Sequence, residues 1–262
     1  MKVKTKLIMS GVKLSWIIHR TKKIGKKYLK YEDEEKYPAQ WRNDWSLKKT
    51  KKIAKKLMIE LTVKGFDNLP KGGAILVPNH SSSIDPGIIL MSLENPSKVS
   101  TDLNKLSVFI AKDDIRDNKK IKGFASLLNT FYIDRKSPRK ALKEIDKFGD
   151  FVKKEKKYGI IFAEGTRSKD GKIQEFKGGA FRVAKKNLLP IVPVTINNAI
   201  GISNLSRTKP IKVEVIFGKP IKPMSLMTMD TKTIAAKVEK LVKKNWKAPV
   251  DKADRAYEEK VA

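Results

Sequence analysis

The hydrophobic rhythm of the chain changes near residue 62. Before that point apolar residues recur at helical spacing. Val3, Leu7, Leu14, Ile17, Ile18, Tyr28 and Leu29 fall on one side of a 3.6-residue helix, while Lys4, Lys13, Arg20, Lys22, Lys23 and Lys27 point elsewhere. The stretch from Tyr31 to Tyr37 is acidic, and Pro38 stops any helix there. Beyond Trp41 and Trp45 a cleaner pattern sets Leu47, Ile53, Ala54, Leu57, Met58 and Leu61 on one face. Lys48, Lys49, Lys51, Lys52, Lys55 and Lys56 occupy the other. Downstream the period shortens. Apolar runs at 74–77, 108–111, 130–133, 159–162, 191–196 and 211–217 read as strands, and helical stretches follow Asp85 and cover 138–156, 178–186 and 231–244. The pattern predicts an α/β domain over 63–262, with a central mixed β-sheet flanked by helices, preceded by a two-helix module over 1–62.

Composition sharpens the picture of that module. The 262 residues carry a net charge of +30, yet with 40% hydrophobic residues the chain is expected to bury a real core. So much positive charge implies an anionic partner: nucleic acid, an anionic bilayer or an acidic carrier protein. Lysines make up 49 of the 58 basic residues, a bias that genome composition explains as well as selection for binding does. The first 60 residues hold 18 basic and 6 acidic residues, so +12 of the +30 lies there. Two basic amphipathic helices with tryptophans between them suit an in-plane membrane anchor, with apolar side chains at the acyl boundary and lysines on anionic headgroups. The alternative is a helix pair packed on the core with a solvated lysine face. No apolar run approaches the roughly 18 residues of a spanning helix. The lysine-rich start lacks a small-residue cleavage site, so the N-terminus is expected to be retained.

Candidate chemistry is narrowed by what is missing. The absence of cysteine excludes disulfides, thiolate nucleophiles and Cys-ligated zinc, and two histidines, His19 and His80, leave no His-rich metal site. Neither metal nor cofactor is expected. Ligands of doubly wound sheets bind outside the carboxyl ends of strands, and three polar clusters sit at such ends. The first runs from Asn79 through His80, Ser81, Ser82, Ser83 and Ile84 to Asp85 and Pro86. Five helical steps turn through about 500°, so a turn rather than a helix must bring His80 and Asp85 together. Asp85 would then bind one ring nitrogen and leave the other free to take a proton from a substrate hydroxyl. The bland alternative is a structural histidine. No Gly-x-Ser-x-Gly elbow surrounds the serines, which read as helix caps. The second cluster, Phe162-Ala163-Glu164-Gly165-Thr166-Arg167-Ser168, offers backbone N–H groups, a hydroxyl and a guanidinium that together suit a phosphate. The third, Tyr132-Ile133-Asp134-Arg135, repeats that logic. For either arginine the alternative is a surface ion pair worth about 0 to 1 kcal/mol.

Taken together, these blocks resemble the glycerolipid acyltransferase superfamily and, within it, the 1-acyl-sn-glycerol-3-phosphate acyltransferases. Asn79-His80 to Asp85-Pro86 matches the family's His-x4-Asp block, and Gly65 to Pro70 resembles its lead-in. Lys112, then Gly123 through Arg135, resembles the second block. Phe162 to Ser168 with Phe176 to Ala180 resembles the third, Ile191-Val192-Pro193-Val194 the fourth, and Ile211 to Ile221 the closing strand. The resemblance spans roughly residues 64–222 in family order. Two departures bear on substrate shape: Ala163 stands where the family has proline, and the second block lacks Ile-Pro before its glycine.

The resemblance implies that His80 deprotonates the acceptor hydroxyl while Asp85 holds it, and that the hydroxyl attacks an acyl thioester directly. Lys112, Arg135, Glu164, Gly165, Thr166 and Arg167 would bind the acceptor's phosphate, with Pro193 lining an acyl groove and Asn79 supporting. The implied acceptor is a lysophospholipid and the donor an acyl carrier protein or coenzyme A thioester. The implied location is the cytoplasmic face of an anionic membrane, held peripherally. Rival readings are acylation of glycerol 3-phosphate at its first position or of other lysophospholipids. A nucleic-acid-binding protein is remote, because no binding motif occurs and the aromatics are not interleaved with lysines. Oligomeric state has no signal in the sequence.

Overall fold

The computed structural model describes residues 1–31, 34–97, 99, 102–134 and 136–249. Three helices, α1 (Val3–Met9), α2 (Gly11–Tyr31) and α3 (Ala39–Lys56), precede strands β1 (Ile59–Lys64) and β2 (Ala74–Pro78). The chain continues through α4 (Asp85–Ser92), β3 (Ser107–Lys112), α5 (Lys122–Leu127), β4 (Phe131–Ile133), α6 (Pro138–Lys154) and β5 (Tyr158–Ile160). It ends with α7 (Arg182–Asn187), β6 (Ile191–Asn197), β7 (Ile211–Phe217), α8 (Pro223–Met227) and α9 (Thr231–Asn245). The strands form one seven-stranded mixed sheet in the order β1-β7-β6-β2-β5-β3-β4, parallel throughout except between β6 and β7.

Both faces of this sheet are covered, which is why its central strands read as unbroken apolar runs. Along β2 the pleat alternates. Leu76 packs with Leu47, Leu57, Ile88 and Ile89 from α3 and α4, whereas Ile75 and Val77 pack with Phe148, Val183, Val238 and Val242 from α6, α7 and α9. Local chemistry starts the helices where sequence says it should. Proline opens α4, α6 and α8 within the first two positions, and Asp230 caps α9 by accepting from Lys232 N and Thr233 N.

The N-terminal segment departs most from expectation. The first helix is divided at Ser10, and α3 ends at Lys56 instead of running on to Leu61. Residues 59–64 form an edge strand paired in parallel with β7, so a boundary at residue 62 falls inside the sheet. The sequence there satisfies two periods at once: Leu57, Met58 and Leu61 continue a helical face, while Ile59, Leu61 and Val63 alternate with exposed Glu60, Thr62 and Lys64. Pairing with β7 decides for the strand. The apolar face of α3 is also spent on the core, with Leu47, Ala54 and Leu57 buried.

The first helices are bolted to the α/β domain. A Cβ on Gly123 would lie 2.6 Å from the backbone nitrogen of Lys22, so α2 and α5 cross backbone to backbone, and only glycine allows it. Beside that crossing Arg42, 1% exposed, donates to the Tyr37 carbonyl, the Leu127 carbonyl, Asn129 Oδ1 and Glu34.

At the other edge Glu214 ties strands together. Its carboxylate accepts from Lys64 of β1, Lys247 beyond α9 and Asn197 of β6. The Lys64 and Lys247 bonds hold it down to a pKa of about 2. The ionised form is thus favoured by folding, and its contribution is complete above the ordinary carboxylate range and lost as pH falls toward 2. Glu214→Gln should cost about 1.5 to 3 kcal/mol at pH 7, with the gap to wild type closing as denaturation is repeated at progressively lower pH down to 2. A gap that is constant across that range would assign the effect to packing.

Candidate active site

The end of β2 is fixed before it reaches the histidine. Buried Asn79 donates through Nδ2 to the Ile196 carbonyl at 3.0 Å and accepts from Ile196 N at 2.7 Å, so its amide imitates one more ladder step between β2 and β6. The chain then turns, and the turn is closed by Asp85. Asp85 is fully buried in the first turn of α4, where the helix dipole favours a carboxylate. Its Oδ2 accepts from Ser81 N at 2.7 Å and Ser82 N at 2.8 Å, and lies 2.9 Å from His80 Nδ1. An ionised carboxylate can only accept, so Nδ1 carries a proton, and in the neutral imidazole Nε2 is then the nitrogen with the lone pair.

A second loop packs against the first. Strand β5 ends at Ile160, two residues before its expected limit, and releases the 162–168 turn. Gly165 takes a left-handed φ of 78° there, and its N–H donates to the Phe162 carbonyl. The Phe162 ring lies 4.2 Å from the His80 imidazole. Ser168 N donates to the His80 carbonyl at 2.8 Å, and His80 N donates to Glu164 Oε1 at 2.7 Å. Glu164 Oε2 accepts from Gln174 N at 3.0 Å. Burial, reinforced by the charges of Asp85 and Glu239, pushes the Glu164 carboxyl up to about 7 against the pull of its two backbone donors. Ala163, where a proline was the resemblance's norm, is buried and its carbonyl accepts from Lys177 N.

The structure thus gathers Asn79, His80, Asp85, Glu164 and Gly165, and places Thr166 and Arg167 exposed on the same turn. Arg167 has no ion-pair or hydrogen-bond partner among the described residues, whereas Thr166 Oγ1 lies 3.3 Å from Gln174 Oε1. Glu164 differs from the phosphate-ligand expectation: at 3% exposure, with both oxygens taken by backbone N–H groups, it presents no free surface to an anion. Lys112 ends β3 and pairs with Asp114 at 3.2 Å. Arg135 lies outside the described residues. Pro193 sits buried in β6 opposite Val77, its carbonyl accepting from Gly218 N. A cleft of about 1020 Å³ runs beside β1, lined by Ala54, Met58, Leu61, Phe66 and Met91, and includes no residue of the His80 site. Sequence reasoning missed the parts played by Phe162, Ser168 and Gln174. The last two act through main-chain N–H groups, which no residue type announces.

A strand-end histidine held by a buried carboxylate thus lies beside a glycine turn whose arginine has no partner among the described residues. The family model described as Acyltransferase matches residues 60–197, just over half of the chain. The chain belongs to the acyltransferase family. It is 29% identical over 204 residues to the probable 1-acyl-sn-glycerol-3-phosphate acyltransferase of Mycoplasma pneumoniae, covering 72% of this chain and 74% of that protein. It is 33% identical over 147 residues to the 1-acyl-sn-glycerol-3-phosphate acyltransferase of Saccharomyces cerevisiae, covering 55% of this chain and 45% of that one. Among solved structures, the 1-acyl-sn-glycerophosphate (LPA) acyltransferase PlsC from Thermotoga maritima superposes with a TM-score of 0.65 over 92% of both chains at 24% identity, a likeness of fold.

For this acyltransferase the geometry supports one division of labour. In this arrangement Nε2 could take the proton of an attacking hydroxyl, and Asp85 is placed to stabilise the imidazolium that would result. His80→Ala should lower acyl transfer by about 10² to 10⁴, while Asp85→Asn should leave a small remainder because the imidazole stays but its orientation is lost. Near-normal turnover by His80→Ala would remove His80 from the reaction. Replacing Ser81, Ser82 and Ser83 together by alanine should leave measurable turnover, since the two hydrogen bonds to Asp85 come from main-chain N–H groups.

Proposed function

We propose that the enzyme transfers a fatty acyl group from an acyl carrier protein or coenzyme A thioester to the sn-2 hydroxyl of 1-acyl-sn-glycerol 3-phosphate, forming phosphatidic acid. The observation that carries this reading is the Asp85–His80 pair next to the free guanidinium of Arg167. A base and an arginine on adjoining loops suit an acceptor bearing both a hydroxyl and a phosphate, and arginine binds phosphate through two parallel N–H groups. The names of the mycoplasma and yeast relatives support the same acceptor. The thioester needs no acyl-enzyme, because its sulfur leaves readily once the hydroxyl is activated.

Both substrates join a charged head to an apolar tail, which favours an enzyme held at a bilayer surface. No described helix is long and apolar enough to cross a membrane. The side chains proposed to enter the interface are not those that sequence periodicity picked. Val3, Ile17, Tyr28, Leu47, Ala54 and Leu57 are buried in the protein, but Ile8 and Met9 of α1 and Val12 and Trp16 of α2 stand 71%, 74%, 87% and 53% exposed. Next to them a cleft of about 440 Å³ between α2 and α3 is lined by Lys13, Lys52, Lys55 and Lys56 and by no acidic residue. Apolar anchors with an unopposed lysine rim suit anionic lipid.

Purified enzyme should convert lysophosphatidic acid to phosphatidic acid with at least one of the two donors, and should use glycerol 3-phosphate more poorly; the reverse preference would favour the first-position reading. Arg167→Ala should raise the acceptor KM about tenfold or more and leave the donor KM nearly unchanged. Unchanged acceptor kinetics would move the phosphate site elsewhere. Replacing Ile8, Met9, Val12 and Trp16 with serine should release the protein from phosphatidylglycerol vesicles in flotation without lowering Tm. Undiminished flotation would contradict the proposed contact face.

A further inference from the structure

Besides presenting Arg167, the 162–168 turn makes its shortest hydrogen bonds with the backbone of His80. The backbone of His80 is gripped on both sides by this one loop, its N–H by Glu164 Oε1 at 2.7 Å and its carbonyl by Ser168 N at 2.8 Å. The imidazole face is covered by Phe162. Through its second oxygen Glu164 reaches Gln174 N, so one carboxylate connects the histidine to the far end of the loop that carries Arg167. We infer that Glu164 is a positioning residue, whose buried carboxylate spans the His80 and Gln174 peptide N–H groups and so sets the angle at which the imidazole meets the acceptor hydroxyl. This rests on His80 being the base of the proposed reaction.

Three observations favour positioning over phosphate binding. Glu164 is 3% exposed, so an acceptor cannot reach it without opening the loop. Both of its oxygens accept from peptide N–H groups, which leaves no donor to offer a phosphate. Its surroundings are also anionic, with Asp85 and Glu239 close by, so a phosphate brought against it would be repelled. Burial near Asp85 and Glu239 disfavours its charged form, and the two N–H groups are what draw it the other way. Asp85 and Glu164 act on different parts of the histidine. Asp85 Oδ2 holds the ring nitrogen, and Glu164 holds the peptide from which the ring projects. An error of about 1 Å in such a group costs about 10² in rate.

The test separates kcat from KM and watches the imidazole directly. Glu164→Gln keeps a carbonyl for His80 N–H but turns an NH₂ against Gln174 N–H; Glu164→Ala removes both acceptors. The expected result is a kcat lowered about tenfold in the first and about a hundredfold in the second, with the acceptor KM within about twofold of wild type. Because the chain has two histidines, ring-labelled histidine gives two imidazole signals. That of His80 should shift in both variants, with His19 unmoved as the internal reference. A tenfold rise in acceptor KM at unchanged kcat, with the His80 signal in place, would overturn the inference and make Glu164 part of the acceptor site. Full wild-type kcat in Glu164→Ala would overturn it as well. If Glu164→Ala fails to fold by circular dichroism, Glu164→Gln, which is isosteric, decides alone. Failure of the underlying reading looks different: His80→Ala would then retain turnover.

Discussion

Everything at the sheet's carboxyl end hangs on one buried oxygen. Asp85 Oδ2 accepts from the His80 ring and from two successive backbone N–H groups, and this convergence folds the 79–85 segment into a turn that a regular helix could not make. A carboxylate taken out of water is tolerated only when donors and dipoles replace the lost solvation. Here the first turn of α4 supplies the dipole and the turn itself supplies the donors. The same oxygen therefore shapes the backbone and fixes the tautomer. Structure and chemistry cannot be separated at this residue, and each remaining feature of the site serves to present it. Asn79 locks the strand end behind it, and the 162–168 loop holds the histidine in front.

The N-terminal helices are a second instance of apolar surface deciding placement. Their lysine-rich faces invite a picture of a detachable anchor, but the hydrophobic effect acts first within the chain. Leu47 and Leu57 go into the sheet's core, and α2 is pressed against α5 through glycine. Arg42 completes the attachment with donors to residues on both sides of α5's end and stacks 3.9 Å over the Tyr28 ring. What is left for a bilayer is the surface that the core did not claim, at Ile8, Met9, Val12 and Trp16. An apolar residue in a basic helix is thus no guide to lipid contact until internal packing has been accounted for.

Much of this was legible beforehand, for physical reasons that differ by element. Strands β2 and β6 announce themselves because burial on both faces demands continuous apolar runs, β7 because buried apolar residues alternate with Lys212, Glu214 and Ile216, and α6 and α9 because proline and aspartate mark their starts. The pairing of His80 with Asp85 was legible as a requirement that a turn satisfies. Strand β1 was not, since six residues satisfy either period and a partner 150 residues away decides between them. The short helices α5 and α8 lack a periodic signal long enough to stand out. The grip of Ser168 and Gln174 on the site was invisible for a deeper reason: their contributions are peptide N–H groups, the same in every residue but proline.

If Asp85-held His80 activates the acceptor, the acyl group passes to it without stopping on the protein. Intact-mass measurement of the enzyme after incubation with acyl thioester alone, with no acceptor present, tests this most directly. Direct transfer leaves the protein mass unchanged and, when lysophosphatidic acid is then added, releases product in step with loss of thioester. A stable mass increase equal to one acyl group, located on Ser81, Ser82 or Ser83 and discharged by the acceptor, would contradict it.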